Sequence, residues 1–200
     1  MNFLAHLVLS PRDEEVMAGN FFGDLVKGQH WKLLPPAYAQ GVLLHRRIDS
    51  FVDQHEATHM AKKLLPNELG LFKGVLLDMY WDHFLSRDFD TIVGVDRNAF
   101  ARTIHTQLLR HSAVFGPKAS SLASAMQRGN WLLGYAEFEA LDEIFHQMAI
   151  RFPYANPLGQ GMEALNAQYA ALHRIFCILW EQLIMNFESI KAHGFVNAKP

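Results

Sequence analysis

Val42, His45, Asp49 and Val52 follow one another at spacings of 3, 4 and 3, so a helix through this segment gathers an imidazole and a carboxylate between two apolar side chains on one face. A stripe of that kind limits what the chain can become. Taking a carboxylate out of water is costly unless a cation or several hydrogen bonds replace the lost solvent, so the rest of the fold has to bring such a partner to this helix.

Helical spacing dominates elsewhere too, and no run alternates with the period of a strand. The expected fold is all-α, a single-domain helical bundle of about seven to eight helices. The 200 residues suffice for one well-buried core, and no low-complexity hinge divides them. A short helix is predicted over about 2–9, and a second opens on Asp13-Glu14-Glu15 and ends near Lys27-Gly28, with Met17, Phe21, Asp24 and Leu25 on one side. A third is predicted to run unbroken from Pro35-Pro36 to about Leu65-Pro66. A fourth, over about 68–85, carries Leu71, Val75, Asp78, Asp82 and Leu85 at spacings of 4, 3, 4 and 3. Asp88 to Asp96 reads as a loop. Further helices are predicted over about 97–111, 118–128 and 137–151, with a long structural helix from Gly161 to about 192.

Composition removes several classes of function. No run of roughly 18 apolar residues would span a membrane, and the short apolar stretch at 2–9 has a His and no basic leader, unlike an export signal. Cys177 is the only cysteine, which excludes an intramolecular disulfide or a thiolate metal cage and makes the cytoplasm the expected compartment. A net charge of -2 makes no case for nucleic acid. Between Arg97 and Ala136, however, Arg97, Arg102, Arg110, Lys118 and Arg128 occur without a single acid. That segment reads either as a basic docking surface or as a solvated face balanced in space by Glu137, Glu139 and Asp142.

The polar residues on apolar faces are His6, Asp24, His45, Asp49, Asp78 and Asp82, with His83 beside the last. Each has an ordinary explanation alone: Asp24 could pair with Lys27 and Asp49 with Arg46 at one helical turn. Together they are harder to dismiss, because four predicted helices each bring an acid or an imidazole to a core-facing stripe. Asp78 and Asp82 repel at i,i+4, and burial sharpens the repulsion. A divalent cation resolves it, and His and Asp ligands without sulfur suit manganese, iron or magnesium better than structural zinc. Arg46 beside the His–Asp pair could hold a phosphate oxygen, while Arg47 points roughly 100° away. With no Gly-x-Ser-x-Gly elbow and the lone cysteine in an apolar helix, metal-activated water is favoured over a covalent nucleophile.

The stretches Met1-Asn2-Phe3-Leu4-Ala5-His6-Leu7, Gly19-Asn20-Phe21-Phe22-Gly23-Asp24, Gly41-Val42-Leu43-Leu44-His45-Arg46-Arg47-Ile48-Asp49 and Asp78-Met79-Tyr80-Trp81-Asp82-His83-Phe84-Leu85 resemble the bacterial acyl carrier protein phosphodiesterases. The resemblance implies a cytoplasmic hydrolase that removes 4'-phosphopantetheine from holo-acyl carrier protein, in turnover linked to fatty acid biosynthesis. It also implies one or two divalent ions, usually Mn2+ with Mg2+ or Fe2+ as alternatives, and a fold related to HD-domain phosphohydrolases. One departure stands out: the His-Asp dipeptide that names the HD superfamily is absent, and the chain has Asp82-His83 in reverse order. On this reading His6, Asp24, His45, Asp49 and Asp78 hold the metal, Arg46 neutralises transition-state charge, and Asp82 or His83 protonates the leaving serine oxygen. Acyl carrier proteins are strongly acidic, which makes the basic 97–136 segment the expected docking surface. Two alternatives carry the same residues: an HD-like phosphohydrolase of nucleotides or small phosphoesters, and a non-catalytic helical metal-binding protein.

Overall fold

The computed structural model of the protein describes residues 3–193, and among them every regular element is helical. The helices are α1 (Phe3–Val8), α2 (Glu14–Phe21), α3 (Pro36–Gln54), α4 (Glu56–Leu64), α5 (Phe72–Arg87), α6 (Phe89–Val93), α7 (Arg97–His111), α8 (Pro117–Arg128), α9 (Trp131–Gly134), α10 (Phe138–Arg151) and α11 (Gly161–His193). Eight of these run eight residues or more, matching the expected number. The short α6 fills part of the expected loop after Asp88, closed by Gly94 in a left-handed conformation that glycine adopts freely. The expected start of the first helix at residue 2 lies outside the described residues.

Local chemistry explains the boundaries. Asp13 caps α2 by accepting the backbone N–H groups of Glu15 and Val16 at 2.9 and 3.0 Å. Pro36 starts α3, where its missing N–H would have no partner. The predicted single helix from Pro35 to Pro66 is two helices, because His55 turns extended (φ -71°, ψ 139°) and its Nδ1 accepts the Ala57 N–H to cap α4. The second predicted helix also ends early: α2 stops at Phe21, and Gly23–Leu25 forms a separate 3-10 turn.

Two packing decisions place the functional residues. The first is a crossing of α2 over α3 with glycine on both sides. A Cβ on Gly19 would lie 2.2 Å from the Tyr38 carbonyl oxygen, and one on Gly41 would lie 2.1 Å from that of Val16. Only hydrogen fits at either position, and the two backbones come close enough for α3 to lay His45 against the end of α2. The second concerns α1, whose residues from Leu4 to Val8 are all buried although the helix is only six residues long. Such a helix does not hold itself in water. Its leading N–H groups, those of Leu4 and Ala5, instead donate to the two carboxylate oxygens of Asp82 at 2.7 and 3.1 Å. Asp82 lies on α5, whose residues from Tyr80 to Ser86 are buried in succession, so α5 runs through the middle of one apolar core.

Candidate functional site

The site is built around Asn20, at the end of α2 and wholly inaccessible to solvent. Its side-chain amide donates to the His6 carbonyl at 2.7 Å and to Ser10 Oγ at 2.9 Å. With both donors spent, Oδ1 is left as an acceptor, and His6 Nδ1 lies 3.0 Å from it. The Asn20 backbone carbonyl accepts from His45 Nδ1 at 2.8 Å. One residue therefore holds two imidazoles, from α1 and α3, each with its proton on Nδ1 and its Nε2 turned the same way. The rings stack with centroids 4.1 Å apart.

What both Nε2 atoms face is carboxylate. His6 Nε2 lies 3.1 Å from Asp49 Oδ1, and His45 Nε2 lies 3.0 Å from Asp49 Oδ2 and 3.3 Å from Asp24 Oδ1. His45 Nε2 is buried, and neither of its acid neighbours is aligned for a hydrogen bond. The electrostatics follow from the crowding. Burial opposes a charged His45, but Asp24 and Asp49 outweigh it and lift its pKa to about 9. Burial and the charge of His45 hold His6 below its ordinary value, in spite of Asp49. Burial raises Asp49, yet both imidazoles overcome that and hold it well below the usual carboxylate range. Asp24 is lowered chiefly by His45. A neutral His6 then has one proton for two acceptors, Asn20 and Asp49.

These atoms meet the demands of a cation. One donor atom from each of His6, His45 and Asp49 falls within 4.8 Å of the others, and Asp24 reaches the same His45 nitrogen from the open side. Imidazole nitrogens whose second nitrogen is tied to an amide or carbonyl are the usual form in which histidine binds a metal. A divalent ion would take the place of the Nε2 proton that His45 carries and would satisfy the His6 Nε2 lone pair that now opposes Asp49, so the donor set fits such an ion.

The cluster opens into a cavity of about 360 Å3 lined by Gly23, Asp24, Val26, Lys27, His45, Arg46 and Asp49, among others. Gly23 is required there, since a Cβ would lie 2.4 Å from Cγ of the His45 ring. Asp24 stands at the mouth with 77% of its side chain exposed, because α2 has already ended and the 3-10 turn carries it outward instead of onto an apolar helical face. Arg46 lines the cavity as expected, but its Nη2 donates to the carbonyls of Val26 and Gly28 at 2.9 and 2.7 Å, stapling the turn that presents Lys27. Arg47 points away and lies over the Phe187 ring.

Three other expected residues sit elsewhere. Asp78 is partly buried, and its carboxyl is raised by burial and by the charges of Asp49 and Asp53, but it does not join the close group of His6, His45 and Asp49. Asp82 is fully buried with both oxygens on α1, so it anchors the helix that carries His6 and does not line the cavity. His83, one residue and about 100° farther round α5, faces the Tyr135 carbonyl and the Tyr169 hydroxyl, each at 2.8 Å. Of the basic residues between 97 and 136, Arg97 donates to the Ser86 carbonyl at 2.8 Å and Arg110 to Glu14 at 2.7 Å, so these two serve the fold. Their partners come from α5 and α2, not from the acids at 137–142.

Sequence reasoning passed over Asn20, Gly23 and Lys27. A signal existed for the first. An amide inside the buried run Gly19-Asn20-Phe21-Phe22 must find partners for two donors and an acceptor.

The family model described as acyl carrier protein phosphodiesterase matches residues 1–183. A protein of Photorhabdus laumondii named acyl carrier protein phosphodiesterase is 30% identical over 177 residues, covering 88% of this chain and 89% of its own. One of the same name from Salmonella paratyphi A is 31% identical over 88% of this chain and 92% of its own, and one from Yersinia pestis 28% identical over 92% and 96%. No solved structure matches. With a match that takes in α1, both glycines of the crossing and every residue of the His–Asp cluster, the chain belongs to the acyl carrier protein phosphodiesterase family.

Proposed function

We propose that the protein is a metal-dependent phosphodiesterase that cleaves 4'-phosphopantetheine from holo-acyl carrier protein, leaving the apo protein. The observation that carries this reading is the pair of imidazoles whose Nδ1 atoms face the two acceptor oxygens of Asn20 and whose Nε2 atoms converge on Asp49 and Asp24. His6, His45 and Asp49 would hold the ion, with Asp24 at the open side; manganese or iron suits such a nitrogen and carboxylate set, with magnesium a poorer match. When bound, a divalent ion of this kind lowers the pKa of a coordinated water and offsets phosphate charge.

The chain's own residues do the rest. Asn20 keeps both imidazoles in the ligating tautomer. Lys27, held at the cavity wall by the Arg46 staple, offers a cation to a phosphate oxygen. Asp24 has the exposure to exchange a proton with solvent or substrate, a role that fits it better than Asp82 or His83, whose polar atoms are engaged within the fold. Kinship with the HD-domain phosphohydrolases rests on the sequence resemblance alone.

Mass spectrometry of holo-acyl carrier protein incubated with the protein and Mn2+ tests the reading. Loss of the phosphopantetheine mass is expected, abolished by chelation and restored by Mn2+ without a change in helicity. Retention of the prosthetic group under all conditions, or equal cleavage of nucleotides and free phosphopantetheine esters, would refute the substrate assignment.

A further inference from the structure

The cavity at the His–Asp cluster does not end at Asp24. A wider groove of about 900 Å3, lined by Asp24, Leu25, Lys27, Phe115, Pro117 and Lys118, shares both Asp24 and Lys27 with it. The two spaces meet at the mouth of the site. The groove floor is apolar, supplied by Leu25, Phe115 and Pro117, and Lys27 and Lys118 stand along it from the two sides, one from the turn after α2 and one from the first turn of α8. Its single acid, Asp24, is turned toward His45 at 3.3 Å.

We infer that this groove is the docking surface for an acidic protein segment that flanks the scissile phosphodiester, with Lys118 as a residue that sets preference for the protein substrate. The inference rests on the proposed phosphodiesterase reading and deepens it. Charge selects the occupant. The phosphate itself belongs at the cluster and Lys27, and a pantetheine arm beyond its phosphate is uncharged, so it would give Lys118 no counter-charge. An acidic surface beside the modified serine would meet Lys118 while apolar side chains cover Leu25 and Phe115. The surface is thus narrower than the basic 97–136 segment. It takes Lys118 from that segment and leaves out Arg97 and Arg110, which are tied into the fold.

Binding of fluorescently labelled apo-acyl carrier protein, which lacks the phosphodiester, tests docking apart from chemistry. Lys118 lines the groove and not the cluster's own cavity, so Lys118→Glu exchanges attraction for repulsion away from the ligating residues. The expected result is a Kd raised about tenfold by Lys118→Glu, an affinity that weakens steeply between low and high salt, and no more than about a twofold change for Arg102→Glu, an exposed cation of the same basic segment outside the groove. In parallel, hydrolysis of holo-acyl carrier protein by Lys118→Glu should show a raised KM with kcat little changed. An unchanged Kd in Lys118→Glu, an equal loss in Arg102→Glu, or no binding by the unaltered protein would overturn the inference. Binding that follows the expected pattern without hydrolysis of the holo form would sink the phosphodiesterase reading while leaving the docking surface standing.

Discussion

Replacing Asn20 by alanine tests whether one amide organises the site. The substitution removes the bonds to the His6 carbonyl, to Ser10 Oγ and from His6 Nδ1, at 2.7, 2.9 and 3.0 Å. It leaves the bond from His45 Nδ1, which ends on the Asn20 main chain. At about 1 kcal/mol for each buried bond, the loss is roughly 3 kcal/mol. The His6 carbonyl does not become an orphan, because Ser10 Oγ still donates to it at 2.8 Å. His6 Nδ1 does, and the imidazole has a way out: its proton moves to Nε2, where Asp49 Oδ1 accepts it at 3.1 Å. That shift recovers part of the cost, so metal-free Asn20→Ala should be less stable by about 2–3 kcal/mol. The same shift removes the lone pair that ligates the ion, and affinity for Mn2+ should fall by about 10–100-fold, as for other losses of a ligand's supporting hydrogen bond. Urea denaturation of the chelated protein, calorimetric Mn2+ titration and nitrogen-15 spectra of the imidazoles measure the three effects separately. If the variant keeps its stability and Mn2+ affinity, or if His6 retains its proton on Nδ1, Asn20 does not organise the site.

Further outcomes follow from other positions. Gly23→Ala puts a methyl 2.4 Å from the His45 ring, which must swing away; kcat/KM on holo-acyl carrier protein should fall about 100-fold while circular dichroism stays native. Activity within threefold of the unaltered protein would show that the ring accommodates the methyl freely. Burial lifts the Asp82 carboxyl to about 7 against the pull of two N–H donors. The folded state then holds a proton that the unfolded state has released between about pH 4 and 7, so this group's contribution to stability falls as pH rises through that window and is flat above it. The span is up to about 4 kcal/mol. Asp82→Asn should be the less stable protein at pH 4.5 and should lack this component of the slope, and urea midpoints from pH 4.5 to 7.5 that run parallel in the two proteins would contradict the assignment.

The parts of the fold legible in the sequence were those written in periodicity. The helix across His45 and Asp49, the helical class and the helices at 97–111, 118–128 and 137–151 all follow from where apolar residues recur. Helix ends were less legible. Nothing in the period of 35–66 announces that His55 will turn extended and cap α4 with its own ring nitrogen. Spacing also nominated candidates without saying what each would meet. His6, His45, Asp49 and Asp24 come together because two glycines let α2 and α3 touch, a contact that depends on the absence of side chains. Asp82 shared the spacing of a ligand yet serves α1, since a stripe records which face a residue occupies and not which partner lies across from it. Asn20 shows the reverse: its importance comes from partners at positions 6, 10 and 45 that no local pattern brings together.

The anchoring of α1 by Asp82 bears on how the protein is made. All four residues of the cluster precede Gln54, so a nascent chain has released them from the ribosome long before it is complete. Yet α1 receives its terminal carboxylate from a residue 78 positions after Leu4. Until α5 emerges, the six-residue helix bearing His6 lacks the carboxylate that takes its leading N–H groups and rests only on what Asn20, Ser10 and Asp49 give it. The order of synthesis thereby delays the firm seating of His6 until the central helix is in place, and the His–Asp cluster takes its full shape with the core instead of ahead of it.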